Sequence, residues 1–169
     1  MSDEDRGTPT PGYRSESPLP LEDHFCFTLY AASRAVTNAY RPLLDELGLT
    51  YPQYLVMVVL WQHGTASVKD MLAALQLDYG TVTPLIKRLE TSGLLKRQRR
   101  ADDERVVEVA LTPKGTALSH RIRAVPLAIG DAMGLTVEEF ATAQNLLRRL
   151  TANVIHHANG AEPAEASHS

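Results

Sequence analysis

The sequence predicts a mainly α-helical protein that contains one small β-hairpin. Over most of the chain, apolar residues recur every three or four positions, as they do on one face of a helix. Between Ser67 and Leu111, two short helical patterns are followed by two β-favouring runs joined by a polar loop. Helix, turn, helix, hairpin is the order of a winged helix-turn-helix. The apolar stripes at both ends exceed what such a small unit needs, so we expect the N- and C-terminal helices to form a dimerisation region.

The chain begins with a segment, residues 1–20, that we expect to be a disordered tail. Four prolines stand there among Ser, Thr, Asp and Glu, so the segment has little apolar surface to bury. It lacks the basic start and apolar core of a targeting peptide, and no later apolar run approaches the roughly 18 residues of a membrane span. These features predict a cytoplasmic protein without a membrane partner. Residues 159–169 are small and polar and predict a second disordered tail.

The first helical region extends from Leu21 to Leu47. Because a proline inside a helix removes one hydrogen bond and crowds the preceding turn, Pro42 predicts a kink or a break near Tyr40 and Arg41. Thr50 or Tyr51 should then cap a second helix with proline in its first turn. Its segment Tyr54–Trp61 is apolar nearly all round and should be buried, either inside the domain or between two chains.

The two helices of the central motif follow Ser67, a residue suited to an N-cap. The first has an apolar face of Val68, Met71, Leu72 and Leu75, and the second, after the link Gln76-Leu77-Asp78, one of Val82, Leu85, Ile86 and Leu89. Pro84 leaves the start of the second helix open. A cap at Asp78 would place the proline in the second turn, whereas a cap at Thr81 would place it in the first. Ser92-Gly93 predicts the end of this helix.

Basic residues cluster in the second helix and the hairpin. From Lys87 to Arg105 there are seven bases against four acids, in a chain whose net charge is -3. Charge runs are usually solvated surface, but a basic island in an acidic chain is better explained by phosphates. We therefore predict double-stranded DNA as a partner. The candidate contacts are Thr81, Thr83, Lys87 and Arg88 on the helix that would enter the major groove, and Arg97 in the hairpin.

Two helical patterns follow the hairpin. Thr112-Pro113 should open the first, which is expected to run to Pro126 and to continue beyond a kink there. Thr136 and Glu139 have the spacing of a capping box and should open the last. We therefore predict a single domain over residues 21–158, with its DNA-binding part at about 64–112 and its dimerisation helices at about 21–47 and 113–158.

The single cysteine, Cys26, is the one chemically reactive side chain that the sequence singles out. One cysteine cannot form an intrachain disulfide, the histidines lack ligand spacing, and we predict no metal, cofactor or catalytic site. A lone helical cysteine is most often a small buried hydrophobe. However, Cys26 is expected in the first turns of a helix, where partial positive charge favours a thiolate. Tyr30 lies four residues on, and Tyr40 and Tyr51 supply further hydroxyl donors.

Four runs of the sequence resemble the MarR family. They are FCFTLYAASR from Phe25, LTYPQYLV from Leu49, GTVTPLIKRLE from Gly80 and DDER from Asp102. The early cysteine together with the Leu-Thr-Tyr-Pro-Gln-Tyr run resembles, more narrowly, the organic-hydroperoxide-sensing repressors of that family, called OhrR. The resemblance extends from about Leu21 to Ile155.

The resemblance implies a homodimeric repressor that binds a palindromic operator and releases it when an organic hydroperoxide oxidises Cys26. Tyr40 and Tyr51 match the tyrosines that hydrogen-bond the sensing thiol across the dimer, and Tyr30 occupies a neighbouring position of that pocket. Arg105 matches a wing arginine that enters the minor groove, with Asp103 as its orienting partner. Some members form a disulfide between subunits through a second cysteine, which this chain lacks. It therefore resembles the one-cysteine type, whose oxidised thiol is capped by a small cellular thiol.

Two other classes of function stay open. The chain could be a MarR-type regulator that responds to a small apolar or phenolic ligand, with Cys26 a spectator. It could also be an enzyme, a thiol peroxidase that uses Cys26. The enzyme is disfavoured because turnover needs a resolving thiol, which this chain does not supply.

Overall fold

The structure, a computed structural model, describes residues 20–100 and 106–160. After a 3-10 turn at Leu21–Asp23, its elements are α1 (Phe25–Asp45), α2 (Tyr51–His63), β1 (Thr65–Ser67), α3 (Val68–Leu75), α4 (Tyr79–Thr91), β2 (Leu95–Arg99), β3 (Val107–Leu111), α5 (Pro113–Ile122), α6 (Ala124–Met133) and α7 (Val137–Gly160). They fall into two compact units, which meet along the chain between Ile129 and Gly130. The predicted fold class is confirmed. None of the described helices is long and apolar enough to cross a membrane.

Helix α1 is continuous from Phe25 to Asp45. Of the kink or break predicted near Tyr40 and Arg41, the break is wrong, because the helix passes through Pro42 and ends only three residues later. The proline removes one hydrogen bond, to the carbonyl of Asn38, and near a helix end little further helix is lost with it. Of the whole helix only Leu44 is buried within the chain.

Helix α2 begins with the predicted threonine cap. The Thr50 backbone N–H donates to Gln53 Oε1 at 2.9 Å, and the two side chains complete a capping box. Pro52 lies in the first turn, where its missing N–H costs little. The segment that follows is buried as predicted, with Val56, Met57 and Leu60 fully enclosed. Helix α2 therefore forms the centre of the core of the first unit.

The helix-turn-helix consists of α3 and α4. Ser67 caps α3, since its Oγ accepts from the Asp70 N–H at 3.1 Å. Gln76 ends α3 in a left-handed conformation, with φ of 53°. The start of α4, open in the sequence, is at Asp78, whose Oδ1 accepts from the Thr81 N–H at 2.8 Å. Pro84 therefore lies inside α4, where it leaves only the carbonyl of Gly80 without its helical donor.

The wing belongs to a three-stranded antiparallel sheet of order β1-β3-β2. The predicted hairpin is present, with Leu95 opposite Leu111 and Arg99 opposite Val107. Strand β1 was not predicted from the sequence. It pairs Thr65 to Ser67 with Ala110 to Glu108. Three residues are too few for an alternating pattern, and the partner strand lies more than 40 residues away along the chain.

The C-terminal helices begin at the predicted caps. Thr112 Oγ1 accepts from the Gly115 N–H at 3.1 Å, and Thr136 with Glu139 forms the capping box of α7. The interruption predicted at Pro126 comes earlier, at Arg123. The new helix starts two residues before Pro126, which places the proline in the first turn, where its missing N–H costs no helical hydrogen bond. Helix α7 runs to Gly160, past residue 158 where the ordered part was expected to end, and none of its described side chains is buried.

Candidate nucleic-acid interface and redox site

Helix α4 presents most of the predicted DNA-binding side chains to solvent. Thr81, Lys87 and Arg88 are exposed, while Val82, Ile86 and Leu89 hold the opposite face in the core. The Thr81 hydroxyl also donates to Asp78 Oδ2 at 2.9 Å, so the cap orients it. These three side chains therefore lie on a surface that is rigidly attached to the domain.

Thr83 differs from the other candidates on α4. Its side chain is half-buried, and its Oγ1 is buried without a hydrogen-bond partner among the described residues. The hydroxyl therefore does not point towards a ligand on the exposed face of the helix. Sequence spacing alone does not report this, because a threonine rotamer can place either the methyl or the hydroxyl inward.

Arg97 in β2 is paired with Glu90 of α4. Its Nη2 and Nε donate to Glu90 Oε2 at 2.6 and 2.9 Å, and its backbone N–H donates to Oε1 at 3.2 Å. These bonds lower the pKa of the Glu90 carboxyl and raise the pKa of Arg97. Both side chains stay partly exposed, at 42% and 32%, so the pair adds little stability, and its contacts link β2 to α4.

The described part of the basic island is more basic than the whole. From Lys87 to Arg100 there are six basic residues and one acidic residue, Glu90, which forms an ion pair with Arg97. The remaining acids of the island fall within residues 101–105, which include the predicted contacts Asp103 and Arg105. Those two predicted contacts lie outside the described residues. The surface formed by α4 and β2 therefore carries a clear positive excess, as phosphate binding requires.

Cys26 is the second residue of α1, and its thiol is exposed. The structure does not bring it near the two tyrosines of its own chain. Tyr40 lies fourteen residues further along the same uninterrupted helix, a rise of roughly 21 Å at 1.5 Å per residue. Any contact between this thiol and Tyr40 or Tyr51 must therefore come from a second copy of the chain.

Tyr30 is one turn from Cys26 and is 56% exposed. Arg34 holds it from the next turn, because Nη1 donates to the Tyr30 hydroxyl at 3.1 Å and the guanidinium lies 5.6 Å from the ring centroid. Its membership of the thiol pocket stays a prediction.

Tyr40 and Tyr51 meet where α1 packs on α2. Their ring centroids are 4.8 Å apart, and a third ring, Tyr54, lies 5.6 and 6.2 Å from them. Burial raises the pKa of all three phenols, so each remains a neutral hydroxyl donor at physiological pH. The sequence reasoning missed Tyr54 as a member of this cluster. Its spacing of three residues from Tyr51 on one helix was the available signal.

Apolar side chains remain exposed on both terminal helices. On α1 these include Phe25, Phe27 and Leu29, and on α7 they include Phe140, Leu146, Leu147, Val154 and Ile155. Large apolar faces of this kind are typical of surfaces that another chain covers. Residues 20–100 and 106–160 contain no cluster of three or more metal-ligating side chains.

Comparison with known proteins agrees with this geometry. Residues 38–122 match the family model described as transcriptional regulator SarA/Rot. The chain is 47% identical over 118 residues to the organic hydroperoxide resistance transcriptional regulator of Bacillus subtilis, covering 70% of this chain and 78% of that protein. It is 46% identical to the HTH-type regulator TtmR of Methylorubrum extorquens, covering 73% of this chain and 64% of that one.

Among solved structures, the fold is similar to that of reduced AbfR of Staphylococcus epidermidis bound to DNA. The TM-score is 0.68 at 32% identity, over 82% of this chain and 94% of that one.

Proposed function

Because the chain belongs to the MarR family of DNA-binding transcriptional regulators, we propose that it is a homodimeric repressor that senses organic hydroperoxides through Cys26. It binds its operator while the thiol is reduced and releases it after oxidation. The observation that carries this proposal is the placement of Cys26, exposed in the first turn of α1 and out of reach of its own chain's tyrosine cluster. The relative in Bacillus subtilis, a regulator of organic hydroperoxide resistance, supports the choice of oxidant.

The dimer completes the sensing site. In a symmetric pair, α1 of one chain brings Cys26 to the Tyr40 and Tyr51 hydroxyls of the other, which stabilise the thiolate as neutral donors. Tyr30 borders the same pocket. The exposed apolar residues of α1 supply the surface that such a pair buries.

The chemistry needs one thiol and two small molecules. The Cys26 thiolate attacks the terminal oxygen of the hydroperoxide, the O–O bond breaks, and the alkoxide leaves and takes up a proton, so that the products are a sulfenic acid and an alcohol. A small cellular thiol then displaces water from the sulfenic acid and leaves a mixed disulfide, because the chain offers no second cysteine. Reduction by further thiol restores Cys26. Because this cycle returns Cys26 to the thiol, the proposed switch is reversible.

Helix α4 and the wing read the operator. Thr81, Lys87 and Arg88 face the major groove, and Arg97 lies where the wing meets the backbone. Thr83 stays a weaker candidate because its hydroxyl is buried. Arg105, with Asp103 as its orienting partner, stays the proposed minor-groove contact on the resemblance alone, since both residues lie outside the described part of the chain.

A gel shift on the DNA upstream of the protein's own gene tests the proposal. Wild type and Cys26→Ser are compared untreated, with an organic hydroperoxide, with hydroperoxide plus a small thiol, and after reduction. We expect modest weakening with hydroperoxide alone, full release with added thiol, and recovery on reduction, while Cys26→Ser binds throughout. Mass spectrometry reports the state of Cys26. Wild type that keeps its full affinity with Cys26 in the mixed disulfide would contradict the proposal.

One cavity favours a second candidate. An open space of about 770 Å³ lies between α2, the sheet and α5, with Trp61, Lys96 and Arg123 in its walls. Its size suits a small ligand, which would make the protein a ligand-responsive regulator with Cys26 a spectator. Operator affinity that is equal with and without hydroperoxide, but falls with a phenolic ligand, would favour this candidate.

A further inference from the structure

The tyrosine cluster is continuous with an aromatic path towards the DNA-binding part of the chain. Tyr54 packs against Tyr40 and Tyr51 on one side and lies 6.4 Å from the Trp61 ring on the other. It is only 7% exposed, so the path runs through the core. Tyr51 and Trp61 are ten residues apart on α2, about 15 Å along one stiff helix.

The path ends at Trp61, whose side chain makes one hydrogen bond, to α5. Its indole Nε1 donates to the Gly115 carbonyl on α5 at 3.0 Å, across 54 residues of sequence. No turn or cap of α5 requires this bond. It links α2, which carries Tyr51 and Tyr54, to α5, the helix that follows the wing.

Gly115 lies in a tightly packed junction. A Cβ added to it would stand 2.0 Å from the carbonyl oxygen of Leu94. Thr112 closes the same junction, because its Oγ1 donates to the Gly93 carbonyl at 2.7 Å and its N–H to the Leu94 carbonyl at 3.1 Å. Gly93 and Leu94 are the residues that join α4 to β2. Because Gly115 packs directly against Leu94, a displacement of Gly115 towards Leu94 would push on the segment that follows α4.

We propose that Tyr54 and Trp61 are positioning residues that couple the tyrosine cluster to the junction of α4, β2 and α5. The proposal rests on the proposed function, since the signal starts with oxidation of Cys26. When the tyrosines rearrange around the oxidised thiol, Tyr54 shifts with them, and Trp61 transmits the shift through the Gly115 carbonyl. The angle of α4 then changes, and with it the fit to the operator.

Tryptophan emission gives a direct readout, because Trp61 is the chain's only tryptophan. Treating full-length dimer, free of DNA, with hydroperoxide and a small thiol should shift its emission maximum as Cys26 is modified. Cys26→Ser under the same treatment should show no shift, which separates coupling from direct damage to the indole. Unchanged emission in wild type that has been modified and has lost operator binding would overturn the proposal.

Substitution of Trp61 by phenylalanine tests the hydrogen bond to Gly115, since phenylalanine keeps an aromatic ring and removes the N–H donor. The measured quantity is the ratio of operator affinities in the reduced and oxidised states. We expect Trp61→Phe to lower this ratio by about fivefold or more. The rate of Cys26 oxidation and the reduced-state affinity should stay within about twofold of wild type.

The matched control is Ile122→Val, a small core change on α5 that leaves the indole bond in place. It should keep the wild-type ratio, so that a loss in Trp61→Phe is not ascribed to lower stability. Complete oxidation of Trp61→Phe with an unchanged ratio would refute the coupling. Failure of the proposed function gives a different result, in which wild type itself keeps its operator after Cys26 is modified. That result would overturn the proposed function and, with it, the coupling.

Discussion

Substitution of Gly115 by alanine should weaken the fold severely, although alanine is the better helix former. The new Cβ would lie 2.0 Å from the Leu94 carbonyl oxygen and 3.2 Å from Leu111 Cδ2, whereas ordinary contact begins at 3.4 Å. Helix α5 must therefore move away from Leu94 by roughly 1.4 Å. A shift of that size breaks bonds that are now 3.0 and 3.1 Å long, from the Trp61 indole to Gly115 and from the Thr112 N–H to Leu94.

The expected cost follows from these contacts. Overpacking of a core costs about 1 to 3 kcal/mol, and each lost hydrogen bond about 1 kcal/mol. The helix propensity of alanine returns about 1 kcal/mol. We therefore expect Gly115→Ala to lower the free energy of unfolding by about 2 to 4 kcal/mol.

Gly130→Ala is the matched control, since Gly130 is a helical glycine whose added Cβ meets nothing within 4 Å. It should raise the free energy of unfolding by about 0.5 to 1 kcal/mol. Urea unfolding followed by circular dichroism measures both variants at one protein concentration, because the stability of a dimer depends on concentration. A Gly115→Ala protein within about 0.5 kcal/mol of wild type would show that the junction has slack, contrary to the close approach described above.

Three further predictions concern the cap of α4, the wing and the thiol pocket. Hydrogen bonds from Thr81 lower the pKa of Asp78 below 3.8, so the stability that this carboxylate contributes to the fold is complete above that pH and is lost as the pH falls through the lower folded pKa. The difference in unfolding free energy between wild type and Asp78→Asn, measured from urea midpoints, should therefore narrow on acidification. A difference that widens would be inconsistent with this cap. If Arg97 binds phosphate, Arg97→Gln should weaken operator binding in a gel shift and reduce the salt dependence of that binding. Glu90→Gln, which frees the Arg97 guanidinium, should not weaken operator binding. Equal losses of operator affinity in both variants would mean that the ion pair only sets the wing angle. Tyr40→Phe should slow the loss of the Cys26 thiol to hydroperoxide in a thiol-labelling time course, because the thiolate loses a donor, and an unchanged rate would remove this tyrosine from the pocket.

The ends of most elements were predictable because they depend on residues close in sequence. Thr50, Ser67, Thr112 and Thr136 each cap the helix that follows them, as their spacing predicts. A cap needs only the four backbone N–H groups of its own first turn, so its chemistry is local. The start of α1 was less accurate, because the helix was expected from Leu21 and begins at Phe25, but Cys26 lies in its first turn.

Prolines were harder to interpret from sequence, because their effect depends on where the helix ends. Pro42 lies near the end of α1 and does not interrupt it, while Pro84 is accepted inside α4 because the Asp78 cap and the buried face hold the helix. For α4, the packing of the buried face outweighs the loss of one hydrogen bond.

By itself, then, the sequence determined the apolar faces of the helices, the caps, the hairpin and the basic island. All of these depend on residues that are near neighbours along the chain. The tertiary structure decided the rest. It paired β1 with β3, turned the Thr83 hydroxyl inward and joined Trp61 to Gly115 across 54 residues. Contacts between distant segments depend on how whole helices pack, and packing is a property of complementary surfaces that no short stretch of sequence contains.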